Sequence, residues 1–121
     1  MKLFDTNVLI DVLRQDPRAV EALRAPDDRV ASEVTRFEVL AGAHDDELEA
    51  TELLLAQLQW VPVDEPISRL AAGLARELRG GFSGIEDADY LIAATALELG
   101  AELLTTNVRH FPMFEGLQPA Y

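Results

Sequence analysis

The sequence predicts an α/β fold, a three-layer α/β/α sandwich around a central, mainly parallel sheet. Two observations carry this. Short apolar stretches of strand length, "KLF", "RVAS", "WVPV" and "AELLTT", alternate with longer stretches whose apolar residues recur at helical spacing. Strands that alternate with helices build a parallel sheet through right-handed crossovers and place helices on both faces. Length supplies a third constraint. A chain of 121 residues with 49% hydrophobic and 26% charged residues fits one ordinary domain, so residues 1–121 are expected to share one core.

Each element has a local reason. After "KLF", the residues Val8, Leu9, Val12 and Leu13 predict a helix that stops before Pro17, and "RAVEALRA" predicts a second short one. Pro26, Asp27 and Asp28 make a turn before the strand "RVAS", and "EVTRFEVLAGA" becomes a helix that runs down near Gly42. A helix is expected over "DDELEATELLLAQL", ending at the strand "WVPV". In "EPISRLAAGLARELR" the residues Ile67, Leu70, Ala71, Leu74 and Leu78 form an apolar stripe that ends at Gly80 and Gly81, so Arg69, Arg76 and Arg79 project away from the core. "DADYLIAATALEL" is a helix whose small residues permit close packing, with Gly100 as its stop, and "AELLTT" is the strand that follows. "GLQPA" is the candidate for a last short strand.

Composition narrows the chemistry. There is no cysteine, which excludes disulfides, thiolate metal sites and cysteine nucleophiles, and fits a reducing cytoplasm. No stretch approaches the roughly 18 apolar residues of a membrane span, so a soluble, cytoplasmic protein is expected. The net charge of −12 comes from 22 acids against 10 bases, and Lys2 is the only lysine. That balance is opposite to a protein that binds nucleic acid through basic residues alone. The positions of the acids therefore matter more than their number.

Ligands in parallel sheets gather beyond the carboxyl ends of the strands, where the strand order reverses. Asp5 directly follows the first strand, Glu38 lies in the helix after the second, and Asn107 follows "AELLTT". Asp89 lies in the first turn of a helix that begins at the same edge. Each has a structural role open to it. Asp5 can cap its helix, Thr35 and Glu38 have capping-box spacing, Asp89 can favour a helix dipole, and Asn107 suits a turn. Those roles do not account for their sharing one edge. Converging carboxylates repel one another unless their pKa values rise or a cation joins them, and hard oxygen donors select Mg²⁺ or Mn²⁺. A haloacid-dehalogenase-type phosphatase would need an acid where Asn7 stands, and a response-regulator receiver would need a lysine after a late strand.

The run "LFDTNVLID", followed by "EVTRFEVLAGA" and then by "DADYLIAATALELGAELLTTNVRHF", resembles the PIN domain and, within it, the VapC toxins of bacterial and archaeal toxin–antitoxin pairs. "DTN" alone is a weak motif, whereas the third run is highly specific, and the resemblance covers essentially the whole chain. It implies a metal-dependent endoribonuclease that hydrolyses RNA phosphodiester bonds with a metal-activated water. It makes Asp5, Glu38 and Asp89 the acidic Mg²⁺ or Mn²⁺ site, with Asn107 at a fourth position where relatives carry Asp or Asn. Asp87 is an additional acid ranked below Asp89, because Asp89 precedes "YLIAATA" at the family spacing. Thr6 and Asn7 are expected to orient Asp5, and Thr105 to act near Asn107. Relatives often carry arginine where this chain has Thr106, which leaves Arg109 as the candidate phosphate contact. The resemblance also implies a VapB-like antitoxin with a basic C-terminal segment and a homodimer formed through helices near the N-terminal half. Cleavage by the ribose 2′-hydroxyl would need paired acid–base groups, and of His44 and His110 only His110 lies near the site. The contrasting reading is a PIN-like module that binds RNA or protein without cutting it, against which the intact set of acids argues.

Overall fold

The computed structural model describes residues 1–121. Four strands, β1 (Lys2–Phe4), β2 (Arg29–Ser32), β3 (Gln59–Val61) and β4 (Glu102–Leu104), form one parallel sheet in the order β3-β2-β1-β4. Six helices flank it: α1 (Thr6–Leu13), α2 (Pro17–Arg24), α3 (Glu33–Gly42), α4 (Leu48–Leu55), α5 (Glu65–Leu78) and α6 (Asp87–Leu99).

Strand alternation makes the layers. Leu3, Val30 and Leu103 are neighbours in register and pack with Ile92, Ala93 and Ala96 of α6. Phe4, Ala31 and Leu104 point the other way, into a core shared with α1, α2, α3 and α4. Both faces of the sheet are buried, as a parallel sheet requires. Each fully buried leucine or phenylalanine contributes about 1.5–3 kcal/mol. A smaller cluster of Ile67, Ala71, Tyr90 and Ala94 joins α5 to α6, and Arg69 of α5 and Arg79 at its C-cap face outwards as their spacing predicts. No helix is long and apolar enough to cross a membrane.

Three segments depart from the sequence reading. The helix expected over "DDELEATELLLAQL" is split into a 3-10 turn at Asp45–Glu47 and α4, because His44 N–H donates to Glu47 Oε1 at 2.8 Å and closes a tight turn first. β3 ends at Val61 because Pro62 brings no N–H to extend the ladder. "GLQPA" forms no strand. Gly116 has a positive φ of 73° and Pro119 lacks a donor, so the segment makes no ladder; Leu117 N–H turns back to the Phe114 carbonyl, and Ala120 N–H bonds the Thr105 carbonyl at 2.8 Å. Tyr121 then anchors it, its hydroxyl donating to Asp11 and its ring lying 4.9 Å from the Arg18 guanidinium.

α1 ends in a Schellman turn. Asp16 N–H bonds to the Asp11 carbonyl and Gln15 N–H to the Val12 carbonyl, and Gln15 takes the left-handed conformation with φ 62°. A side chain there costs energy that glycine avoids. Gln15→Gly is expected to stabilise the protein by up to about 1 kcal/mol, because the relief of strain outweighs the added freedom of the unfolded chain. Urea unfolding checks this, and a lower midpoint in the variant would refute it.

Candidate active site

The strand order places the site. β1 lies between β2 and β4, and the chain leaves β1 towards β2 but returns to β4 from the far side, so the crevice opens at the carboxyl ends of β1 and β4. Asp5 follows β1 there, and Thr105 and Asn107 follow β4. Asp5, Glu38, Asp89 and Asn107 line one cleft of about 350 Å³, with Thr6, Asn7 and Ile10 completing the α1 side.

Hydrogen bonds fix the acids individually. Asp5 Oδ1 accepts from the Thr6 N–H at 2.8 Å and Oδ2 from the Thr105 hydroxyl at 2.7 Å, which ties the end of β1 to the end of β4. Thr105 Oγ1 in turn accepts from the Asn107 N–H at 3.0 Å. The Thr6 hydroxyl donates to Glu38 Oε1 at 2.7 Å and lies 3.1 Å from the Thr35 hydroxyl, so α1 holds the carboxylate that α3 presents. Asp89 Oδ2 accepts from the Glu86 N–H at 2.9 Å and sits 3.1 Å from His110 Nδ1. These bonds leave Glu38 Oε2 and Asp89 Oδ1 free of protein donors.

The electrostatics are unbalanced. Asp5 is only 4% exposed, and burial pushes its carboxyl above the usual aspartate value. The bonds from Thr105 and Thr6 pull it down, while the charges of Asp89 and Glu38 push it up again. Four carboxylates line the cleft, those of Asp5, Glu38, Glu86 and Asp89, and no lysine or arginine does. No three acids or histidines stand close enough together to make a ready coordination cluster. Mutual repulsion and the separate partners of each carboxylate account for that spacing. The donor set, all carboxylate and amide oxygen with one imidazole, fits a hard divalent cation.

Comparison with known proteins decides the family. The PIN domain model matches residues 2–114. Ribonuclease VapC19 of Mycobacterium tuberculosis is 49% identical over the full length of both chains. The chain belongs to the VapC ribonucleases of the PIN domain family. Ribonuclease VapC10 of the same organism is 38% identical over all of this chain and 93% of its own length. Among solved structures, a chain of a toxin–antitoxin complex from Klebsiella pneumoniae superposes with a TM-score of 0.86 at 29% identity, covering 100% of this chain and 98% of that one.

In this VapC-family chain the other expected residues fall in different places. Thr6 orients Asp5 through its backbone N–H and spends its hydroxyl on Glu38. Asn7 lines the cleft without a hydrogen bond to Asp5. Thr105 holds Asp5 directly as well as bonding Asn107. Asp87 points out of the cleft into an ion pair with Arg79 at 2.6 Å, and Arg109 is exposed outside the cleft lining. The capping box expected of Thr35 and Glu38 does not form, since Ser32 caps α3 by accepting from the Val34 N–H. Three lining residues lie outside the sequence-predicted set: Ile10 and the two polar residues Glu86 and His110. Glu86 precedes Asp89 at capping-box spacing, and His110 is brought in by the 3-10 turn Val108–His110.

The raised Asp5 carboxyl has a stability consequence. Because the folded chain binds that proton more tightly than the unfolded chain, stability falls as pH rises from the ordinary aspartate value through the folded one. A penalty therefore remains at neutral pH. In EDTA, Asp5→Asn is expected to raise Tm at pH 7, with the gain shrinking as pH falls towards 4. A Tm below that of the wild type at pH 7 would show that burial of the charge is not the governing cost.

Proposed function

We propose that Asp5, Glu38, Asp89 and Asn107 form the catalytic centre of a metal-dependent endoribonuclease that acts as the toxin of a toxin–antitoxin pair. The observation that carries this reading is the cleft at the sheet switch point, where a buried aspartate and three further carboxylates meet with no lysine or arginine. Such a set is costly without a cation and suits one that binds phosphate oxygens.

Asp5 and Asp89 are the principal ligands for Mg²⁺ or Mn²⁺, with Glu38 and Asn107 completing the site directly or through water. A divalent cation bound there supplies an activated water and offsets the charge that grows on the phosphoryl and leaving oxygens. The chain itself supplies position. Thr105 and the Thr6 N–H fix the Asp5 carboxylate, Thr6 Oγ1 fixes Glu38, and the Glu86 N–H with His110 fixes Asp89. Glu38 Oε2 and Asp89 Oδ1 remain available to the cleft.

Mn²⁺ or Mg²⁺ is expected to raise Tm, and Asp89→Asn to abolish RNA cleavage while the metal-free fold persists. Products should carry 5′-phosphate and 3′-hydroxyl ends and disappear in EDTA. A 2′,3′-cyclic phosphate formed equally well in EDTA would overturn the mechanism. Cation binding and RNA binding without any cleavage would favour a PIN module that does not cut.

An antitoxin is the second part of the proposal. The net charge of −12 favours a basic partner segment through steering and contact. The Klebsiella pneumoniae neighbour comes from a toxin–antitoxin complex. A homodimer is expected alongside. Light scattering at micromolar concentration should give a dimer, and a small basic protein encoded beside the gene should co-purify. A monomer without such a protein would refute this part.

A further inference from the structure

A second hollow of about 340 Å³ opens beside the catalytic cleft, between α1, α3 and the turn that leads into α4. The two share Ile10 and Glu38, so one lip belongs to both. Leu13 and Val39 continue the apolar floor from Ile10, and Arg14 and His44 stand at the edge. Glu47 lies there too, with its Oε1 taken by the His44 N–H at 2.8 Å.

Arg14 differs from four of the other nine basic residues. Arg18, Arg36, Arg69 and Arg79 each pair with a carboxylate within their own neighbourhood, at 2.9, 2.7, 3.0 and 2.6 Å. Arg14 has no such partner. Its backbone is held by the Schellman turn that closes α1, with its N–H bonded to the Ile10 carbonyl at 3.0 Å, so the root of the side chain is fixed beside the hollow. A guanidinium recognises phosphate oxygens by paired hydrogen bonds, and an apolar floor accepts the face of a base. The catalytic cleft offers neither feature.

We propose that this hollow is a nucleotide subsite of the RNA substrate, in which Arg14 contacts a phosphate flanking the cut and Ile10, Leu13 and Val39 pack against that nucleotide's base. The proposal rests on the ribonuclease reading above. It places a guanidinium outside the acidic cleft, where it does not compete with a cation for the same carboxylates. Arg14 then governs binding more than the chemical step.

The test uses the full-length protein and the RNA that end sequencing identifies as its substrate. Arg14→Gln should raise KM about tenfold with kcat within twofold of the wild type, the loss of one charge-assisted contact. The slope of log KM against log salt should fall by about one phosphate contact. Arg14→Lys should restore part of the loss, and Arg24→Gln on α2 should change neither quantity. Unchanged KM and salt slope in Arg14→Gln would overturn the subsite. So would a variant that cuts RNA normally but binds a purified antitoxin more weakly, since the hollow would then be a protein groove. If the wild type cuts no RNA in Mg²⁺ or Mn²⁺, the ribonuclease reading fails first and the subsite falls with it.

Discussion

The structure turns on one buried carboxylate. Asp5 ends β1, and its two oxygens are held by a backbone N–H from the next residue and by the Thr105 hydroxyl from the end of β4. The hydroxyl bond joins positions 100 residues apart, and it forms only because β1 and β4 are neighbours in a parallel sheet. Thr105 is itself held from behind, since its carbonyl accepts the Ala120 N–H, and the residue after that is anchored on Asp11 and Arg18. The C-terminal segment therefore braces the strand end that positions the central acid of the site. A hydrogen bond to a charged group contributes about 1.5–3 kcal/mol, and the desolvation of Asp5 opposes it. Burial outweighs the two hydrogen bonds, and the Asp5 carboxyl lies above the usual aspartate value.

The distribution of the bases follows the same logic. Four of the nine arginines pair locally: Arg18 with Asp16, Arg36 with Glu33, Arg69 with Glu65 and Arg79 with Asp87. These pairs are exposed or nearly so and add little stability. One of them changes the cleft: Asp87 pairs with Arg79 outside it, so an acid that sequence position alone would admit is not in the lining. A lysine or arginine in the lining would neutralise the carboxylates there.

The sheet and the main acids were legible in the sequence because each depends on a local pattern. "KLF" followed by Asp5, and "AELLTT" followed by Asn107, are strand ends with polar residues attached, and parallel topology then dictates that they meet. What stayed hidden depends on contacts between distant segments. Nothing local indicates that the Thr6 hydroxyl would be spent on Glu38, or that Thr105 would reach Asp5 rather than serve Asn107 alone. His110 is legible as near the site, but its 3.1 Å approach to Asp89 depends on the 3-10 turn Val108–His110, which has no helical signature. The split before α4 and the strandless "GLQPA" segment depart from the sequence reading for a simpler reason: one bond from the His44 N–H to the Glu47 carboxylate, and one proline with one positive-φ glycine, outweigh the apolar pattern.

The local roles open to Asp5 and Asp89 turn out to be compatible with catalysis. Asp5 is the N-cap of α1, and Asp89 reaches back to the Glu86 N–H at the start of α6. Both helices therefore direct their N-terminal ends, with their partial positive charge, at the same cleft. Each such end stabilises a nearby carboxylate by about 0.3–1 kcal/mol, more where solvent is excluded. Two helix ends offset part of the repulsion among the acids without filling the space where a cation would sit. That helps explain how the chain can fold around four carboxylates with no lysine or arginine among them. It also explains why neutral amides at positions 5 and 89 would cost the fold little. An asparagine keeps an oxygen for the helix N–H while it removes the negative charge. The fold thus draws on hydrogen-bond acceptance by these two side chains, and their net charge is left as a property of the cleft.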